Sequence, residues 1–295
     1  MRGNSPSSRS SSRASSRSGG ARLGLIAGCG SLPGEAARAL RRAGESVGAL
    51  AFEGLTDPGL EGVVDALRWQ RLGQLEAAAE SLRGMGVDRV VLAGSIPKRL
   101  LFEGTGRFEP DRAAAALLGG IGGWKDDLLF AALAGWLESK GFGIEGQDRV
   151  LAPLLAQQGD WSQRSPNAEE LGDLAIGRRA LAALGAAGIG QCVVVQRGCV
   201  VAVEAAEGTD ATIRRAGEIA GPGATVVKGV RPEQDRRFDL PAVGPETIAV
   251  MKQAGATCLA IEAGFTLVLA ADEARAAADR ADIACTTFAR DGEAT

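Results

Sequence analysis

The sequence predicts an α/β protein made of two α/β domains joined by a linker. A Rossmann-like N-terminal domain with a parallel sheet is expected over 22–150, a linker over 151–170 and a mixed α/β domain over 171–295. Three observations carry this. Short runs of Val, Ile, Leu and Ala alternate with longer amphipathic stretches, the pattern of a sheet with helices on its faces. The first apolar run passes directly into a glycine-rich turn and a helix, a strand–turn–helix start that can present backbone N–H groups to a phosphate. Between 150 and 170 the periodicity fades around Pro153, Gly159, Trp161 and Pro166, which separates the two halves.

Taken in order, residues 1–21 are a Ser/Arg/Gly-rich tail, and the first acid in the chain is Glu35. Such a tail is too polar to order itself. Its lack of acids also suits a transit peptide, though there is no apolar core of a secretory signal. An apolar strand over 23–27 leads into Gly28-Cys29-Gly30-Ser31-Leu32-Pro33-Gly34 and a helix over 35–43. A dinucleotide fingerprint would need glycine where Pro33 stands, so the turn reads equally as a tight βα connection. Strands at 46–52, 89–93 and 142–144 then alternate with helices at 72–83, 113–118 and 125–140. In such sheets ligands bind at the carboxyl ends of strands. That singles out Gly28, Gly30, Ser31 and Leu32 at one strand end and Gly94 and Ser95 at another. Lys125 and Asp126 open a helix after the glycine-rich run 119–123; carboxylate capping of that helix explains the acid equally well.

The second half opens with a helix over 173–186, followed by strands 191–195 and 199–203 forming a hairpin about Gln196-Arg197-Gly198. Helices at 211–220, 246–254 and 272–280 and strands at 258–262, 266–270 and 283–288 complete it. Between strand and helix, Glu204, Glu207 and Asp210 crowd one turn. Capping would explain one of them; three together make an oxygen-only donor set of the kind that suits Mg²⁺ or Mn²⁺. Glu262, at a later strand end, is a further acidic candidate. The most irregular run is 228–247, KGVRPEQDRRFDLPAVGPET, whose three prolines and two glycines forbid regular structure. It carries Lys228, Arg231, Asp235, Arg236, Arg237 and Asp239, and charged loops on a regular scaffold are where sites sit. Phe238 and Leu240 flank Asp239, placing its carboxylate between two residues that prefer burial.

Composition narrows the chemistry. The chain is 45% hydrophobic with a formal net charge of −3 and no tyrosine, which gives no basic field or stacking platform for nucleic acid. It has no histidine. That excludes Ser-His-Asp and Cys-His catalysis and His-ligated zinc. No apolar run is long enough to span a membrane. The five cysteines show no C-x-x-C spacing and read as reduced core residues of a cytosolic protein.

The runs LGLIAGCGSLP at 23–33, GIGQCVVVQRGCVVAVEAAEGTDATIRR at 188–215, VVKGVRPEQDRRFDLPAVGPETI at 226–248 and LAIEAG at 259–264 resemble the LpxI-type UDP-2,3-diacylglucosamine diphosphatases of lipid A biosynthesis. The EGTDA and RFDLP runs, in that order and spacing, are the specific part. The resemblance implies hydrolysis of the diphosphate to UMP and 2,3-diacylglucosamine 1-phosphate by attack at the β-phosphorus. It implies a need for Mg²⁺, with Mn²⁺ as the alternative, a lipid product held between two domains, and a homodimer. It places the catalytic aspartate at Asp239. Read as chemistry, Asp239 either binds the metal or orients the attacking water, Asp210 is the second catalytic candidate, and Glu207 and Asp210, with Asp235 as a further candidate, would complete the metal site with Asp239. Thr209 falls in the EGTDA run, while Lys228 and Arg236 stand where they can clamp a diphosphate. Cys29 replaces the middle of three family glycines, and Lys125 replaces a glycine before Asp126-Asp127. A lipid-linked UDP-sugar is then the partner, with no nucleic acid, and the protein is cytoplasmic with at most peripheral contact at the inner membrane through its substrate. The alternatives are a non-catalytic nucleotide-sugar sensor on the same scaffold and a Rossmann-type oxidoreductase.

Overall fold

The computed structural model describes residues 22–97, 100, 108–123, 126–232 and 234–290, side chains of 126 and 127 aside. Lys125 and the tail therefore lie outside the described residues. The first sheet is wholly parallel, with order β3-β2-β1-β4-β5. Its strands are β1 (Arg22–Ala27), β2 (Val47–Phe52), β3 (Ala66–Gln70), β4 (Val87–Ala93) and β5 (Gly143–Ile144). Its helices are α1 (Leu32–Arg42), α2 (Leu75–Gly84), α3 (Arg112–Gly120), α4 (Asp126–Ser139) and the single turn α5 (Gln147–Val150). β1 and β2 are buried almost throughout, as continuous apolar strands covered on both faces must be. The order reverses between β1 and β4, so a crevice opens at their carboxyl ends, the usual ligand position in such sheets. β3 is the exception to the apolar pattern. It is a half-exposed edge strand, ALRWQ, with Trp69 turned partly to solvent.

The second half begins with α6 (Ala168–Ala186), which starts inside the stretch read as linker. Asn167 and Glu170 form a reciprocal capping box there, satisfying two N-terminal donors. β6 (Cys192–Gln196) and β7 (Cys199–Val203) form the expected antiparallel hairpin. Its turn residues Arg197 and Gly198 both have positive φ, and the buried Asp173 carboxylate accepts both of their N–H groups at 3.0 and 2.7 Å. α7 (Thr209–Ala220), β8 (Thr225–Lys228), β9 (Ala242–Val243), α8 (Pro245–Ala254), β10 (Cys258–Glu262), β11 (Leu267–Val268), α9 (Ala271–Arg280) and β12 (Ala284–Phe288) follow. The sheet order is β12-β10-β8-β6-β7; β8, β10 and β12 run parallel, and β6 is antiparallel to both its neighbours. The domain is thus mixed α/β, as expected.

The run 266–270 departs from expectation. Only Leu267–Val268 is strand, and it pairs with β9 in a separate two-stranded sheet. The reason is packing. Leu267 and Leu269, with Val230, Leu240 and Phe265, join the core formed by Leu23, Leu25, Val47, Val91 and α1 in the first domain. Phe238 enters the core on that sheet's other face, with Ile26, Leu50, Leu82 and Leu92. The two halves therefore share cores. Of the five cysteines, Cys192, Cys258 and Cys285 are buried, whereas Cys29 is half-buried and Cys199 is exposed on edge strand β7. The expectation of core thiols holds for three of them.

Candidate active site

The loop 229–241 leaves the carboxyl end of β8 and crosses to the first domain. Its departure is fixed by Glu262 at the end of neighbouring β10. This buried carboxylate accepts the Val230 N–H at 2.9 Å and pairs with Arg290 at 2.8 Å. A side chain at Gly229 would stand 2.6 Å from the Glu262 carboxylate, so glycine is required there. Glu262 thus holds the loop's base. Phe238 and Leu240 are almost fully buried, one in each core of the first sheet, and Phe238 stacks on Phe130 of α4 with 5.7 Å between centroids. Each such burial stabilises by about 1.5–3 kcal/mol. Asp239 between them is half-buried and sits in the left-handed region at φ 54°, which Asp tolerates better than most residues.

The peptide after Asp239 is held at both polar atoms. The Leu240 N–H donates to Gln147 Oε1 at 2.9 Å, and the Asp239 carbonyl accepts from Gln234 Nε2. Gln147 in turn donates through Nε2 to the Leu92 carbonyl near the end of β4, at 2.8 Å. Asp239 is thereby tied to the strand that ends at Gly94 and Ser95. There the β1 and β4 loops close on each other: Cys29 and Ser95 exchange backbone hydrogen bonds of 2.9 and 3.3 Å. A side chain at Gly28 would meet the Ser95 carbonyl at 2.7 Å, and one at Gly94 the Cys29 carbonyl at 2.6 Å. These two glycines answer to that close approach. Gly30, at φ 88°, has open space around it, and Gly30, Ser31 and Ser95 are exposed, with Leu32 half-buried. The Cys29 thiol lies 3.2 Å from the Ser95 hydroxyl. Asp126 begins α4.

The turn 204–210 is organised differently. Buried Glu204 accepts from the Gln191 N–H at 3.1 Å and the Thr209 hydroxyl at 3.0 Å. Glu207 accepts from the Ala205 N–H at 3.0 Å and pairs with Arg215 at 2.6 Å. Hydrogen bonds from its own and Ala205's backbone N–H, with Arg215 beside it, hold the Glu207 carboxyl below the usual carboxylate range, against a smaller opposing effect of burial. Asp210 is half-buried in the first turn of α7. Lys228 is buried, donating to Thr209 Oγ1 at 3.0 Å and the Ala242 carbonyl at 2.9 Å, so it acts as a strut. Burial pushes the Cys192 thiol up, and Glu204 adds to this.

Arg236 is exposed in the loop. It donates to the Gly264 carbonyl at 3.2 Å and lies 4.3 Å from the Phe265 ring centre, as does Arg290. Arg237 pairs with Asp235 at 2.8 Å, and that hydrogen bond draws the Asp235 carboxyl down. Among the described residues, no three carboxylates or thiols gather to hold a metal. The expected trio of Asp239, Asp210 and Glu207 is not among such groups, and Glu207 makes its bonds within its own turn and to Arg215. Gln147, Gln234 and Arg290 carried no signal in the sequence. Gln147 and Leu240 are 93 positions apart, and an isolated glutamine marks nothing until its partners are known.

These features define a class: a two-domain α/β protein in which an aspartate-bearing loop of the second domain is seated in the first. The chain belongs to the LpxI family. The model of the LpxI N-terminal domain matches residues 22–154, and that of the LpxI C-terminal domain matches 157–286. A relative from Caulobacter vibrioides, UDP-2,3-diacylglucosamine pyrophosphatase LpxI, is 32% identical over 273 residues, covering 88% of this chain and 94% of its own. Among solved structures, a biotin carboxylase–βγ-ATP complex from Campylobacter jejuni is 15% identical, covering 68% of this chain and 42% of its own. Its TM-score of 0.23 is too slight a likeness to bear on fold or function.

Proposed function

We propose that this protein hydrolyses the diphosphate of UDP-2,3-diacylglucosamine, releasing UMP and 2,3-diacylglucosamine 1-phosphate. The observation that carries the reading is the seat of Asp239. A half-buried aspartate stands between two buried apolar anchors, and Gln147 ties the peptide after it to the carboxyl end of β4. Water supplies the new P–O bond at the β-phosphorus. The bridging oxygen departs with UMP, and the proton lost by the water passes to Asp239 or, through it, to solvent. This reading assigns the anionic oxygens to Arg236 and the exposed turn at Gly30 and Ser31. None of this requires histidine.

The reading includes a requirement for Mg²⁺, with Mn²⁺ as the alternative. The described carboxylates form no ready cage, and Mg²⁺ on a nucleotide diphosphate commonly takes only one or two protein carboxylates. Asp239 and Asp210 would hold such an ion, which would neutralise charge on the diphosphate. The proposal extends to a homodimer in the cytosol that meets the membrane only through its lipid substrate. Among the described residues, no helix is long and apolar enough to cross a membrane.

The test is hydrolysis of purified UDP-2,3-diacylglucosamine with Mg²⁺, with Mn²⁺ and with EDTA, scored by release of UMP and the lipid 1-phosphate. Metal-dependent release of both is expected. Binding without turnover would replace the reading with a nucleotide-sugar sensor. Full turnover in EDTA would remove the metal requirement.

A further inference from the structure

We propose that Gln147 is a positioning residue for Asp239: its side-chain amide transmits the position of the N-terminal sheet to the peptide that follows the aspartate. The inference rests on the reading of Asp239 as the catalytic carboxylate. Gln147 touches no candidate substrate group. It is 2% exposed, in the short α5 of the first domain, and every polar atom of its side chain is engaged. Nε2 donates to the Leu92 carbonyl at 2.8 Å, while Oε1 accepts the Leu240 N–H at 2.9 Å. Its backbone N–H donates to the Arg237 carbonyl at 3.2 Å. Donor and acceptor face opposite partners, so the amide has one productive orientation.

The need for such a clamp follows from the backbone. A non-glycine residue in the left-handed region persists only where its surroundings over-determine it. Asp239 is followed by Leu240 and Pro241, in a loop with no ladder of its own until β9. Two glutamines hold the peptide after Asp239. Gln234, 9% exposed, takes the Asp239 carbonyl, and its Oε1 accepts the Arg231 N–H at 3.1 Å. Gln234 belongs to the loop itself and can move with it. Gln147 does not: it ties that peptide to β4, the strand that runs into Gly94 and Ser95. Without it, the peptide after Asp239 loses its tie to the first sheet, and the left-handed backbone at Asp239 is less firmly held. A shorter Asn cannot span both partners, and a Leu of similar volume fills the space but makes neither bond.

The experiment measures Gln147→Leu, Gln234→Leu, Asp239→Asn and the double variant Gln147→Leu/Asp239→Asn in the full-length protein, with Met251→Ala in the second core as a stability control. Gln147→Leu is expected to lower kcat about 30-fold, or about 2 kcal/mol, with KM within twofold. Gln234→Leu should show the same pattern more weakly, which keeps the proposal testable if Gln147→Leu folds poorly. Met251→Ala should lower Tm without lowering kcat. The double variant should be no slower than Asp239→Asn alone, because both act through one carboxylate. A structural role would give additive losses, and additivity overturns the proposal. So does a normal kcat in both glutamine variants, or a raised KM at unchanged kcat. Full activity of Asp239→Asn would overturn the reading of Asp239 and this inference with it. A normal Gln147→Leu beside an inactive Asp239→Asn overturns this inference alone.

Discussion

Two charged stretches follow strands of the second domain, and they use charge in opposite ways. In the turn 204–210, the carboxylates hold the fold. Glu204 and Glu207 accept from backbone N–H groups, a hydroxyl and Arg215, and buried Lys228 braces Thr209 against Ala242. In the loop 229–241, the fold holds the carboxylate. Phe238 and Leu240 are sunk in two cores of the other domain, and glutamine amides grip the peptide after Asp239. Density of acids marks a self-capped turn as readily as a site. What separates the two is which groups do the anchoring: charged side chains in the turn, apolar side chains and neutral amides in the loop.

Asp239→Asn tests that distinction most severely. Asn tolerates the left-handed backbone and matches Asp in size, so Tm should hold while kcat falls about 10³-fold, as removal of an acid–base group commonly does. Steady-state kinetics beside a thermal melt checks both halves. A comparable loss of Tm would mean that Asp239 too holds the fold, and the contrast would collapse. Phe238→Ala comes next. It removes a ring that stacks on Phe130 inside the first domain's core, and such truncations cost about 3–5 kcal/mol. Denaturant unfolding should show that loss. Activity should fall as well, because the ring anchors the residue before Asp239. Stability lost without any fall in kcat would show that the loop keeps its aim without its apolar anchor.

The sequence is legible where local pattern decides the outcome. The apolar strands of both sheets, the hairpin at Arg197-Gly198 and the burial of Phe238 and Leu240 all follow from composition and alternation. β3 does not, because ALRWQ is a half-exposed edge strand whose apolar residues do not alternate. Nor does β8, since four residues running into Gly229 leave little periodicity to read. The site is split in the same way. Asp239 stands out because its neighbours are apolar, whereas Gln147 reaches it across 93 positions, through tertiary hydrogen bonds that no local signal encodes. Glu207 shows the converse failure. Its spacing from Glu204 and Asp210 suggests a metal cluster, but its partners are backbone N–H groups of its own turn and Arg215 of the helix that follows.

Glu207→Gln therefore makes the smallest prediction and probes the other side of the contrast. If Glu207 only holds its turn, kcat and metal dependence should stay within twofold of the parent. The side chain is 34% exposed, so its pair with Arg215 is largely screened and should contribute less than about 1 kcal/mol at neutral pH. The pH dependence gives that contribution a signature. Glu207 has a folded pKa lowered from the ordinary 4.5. Its stabilisation is then fully present above that value and is lost as pH falls through the folded pKa, because the unfolded chain takes up the proton first. Urea unfolding at pH 7 and again below pH 4 should find the parent losing slightly more stability on acidification than Glu207→Gln. A large fall in kcat, or a raised Mg²⁺ requirement in Glu207→Gln, would return Glu207 to the metal site and make the two stretches one functional unit.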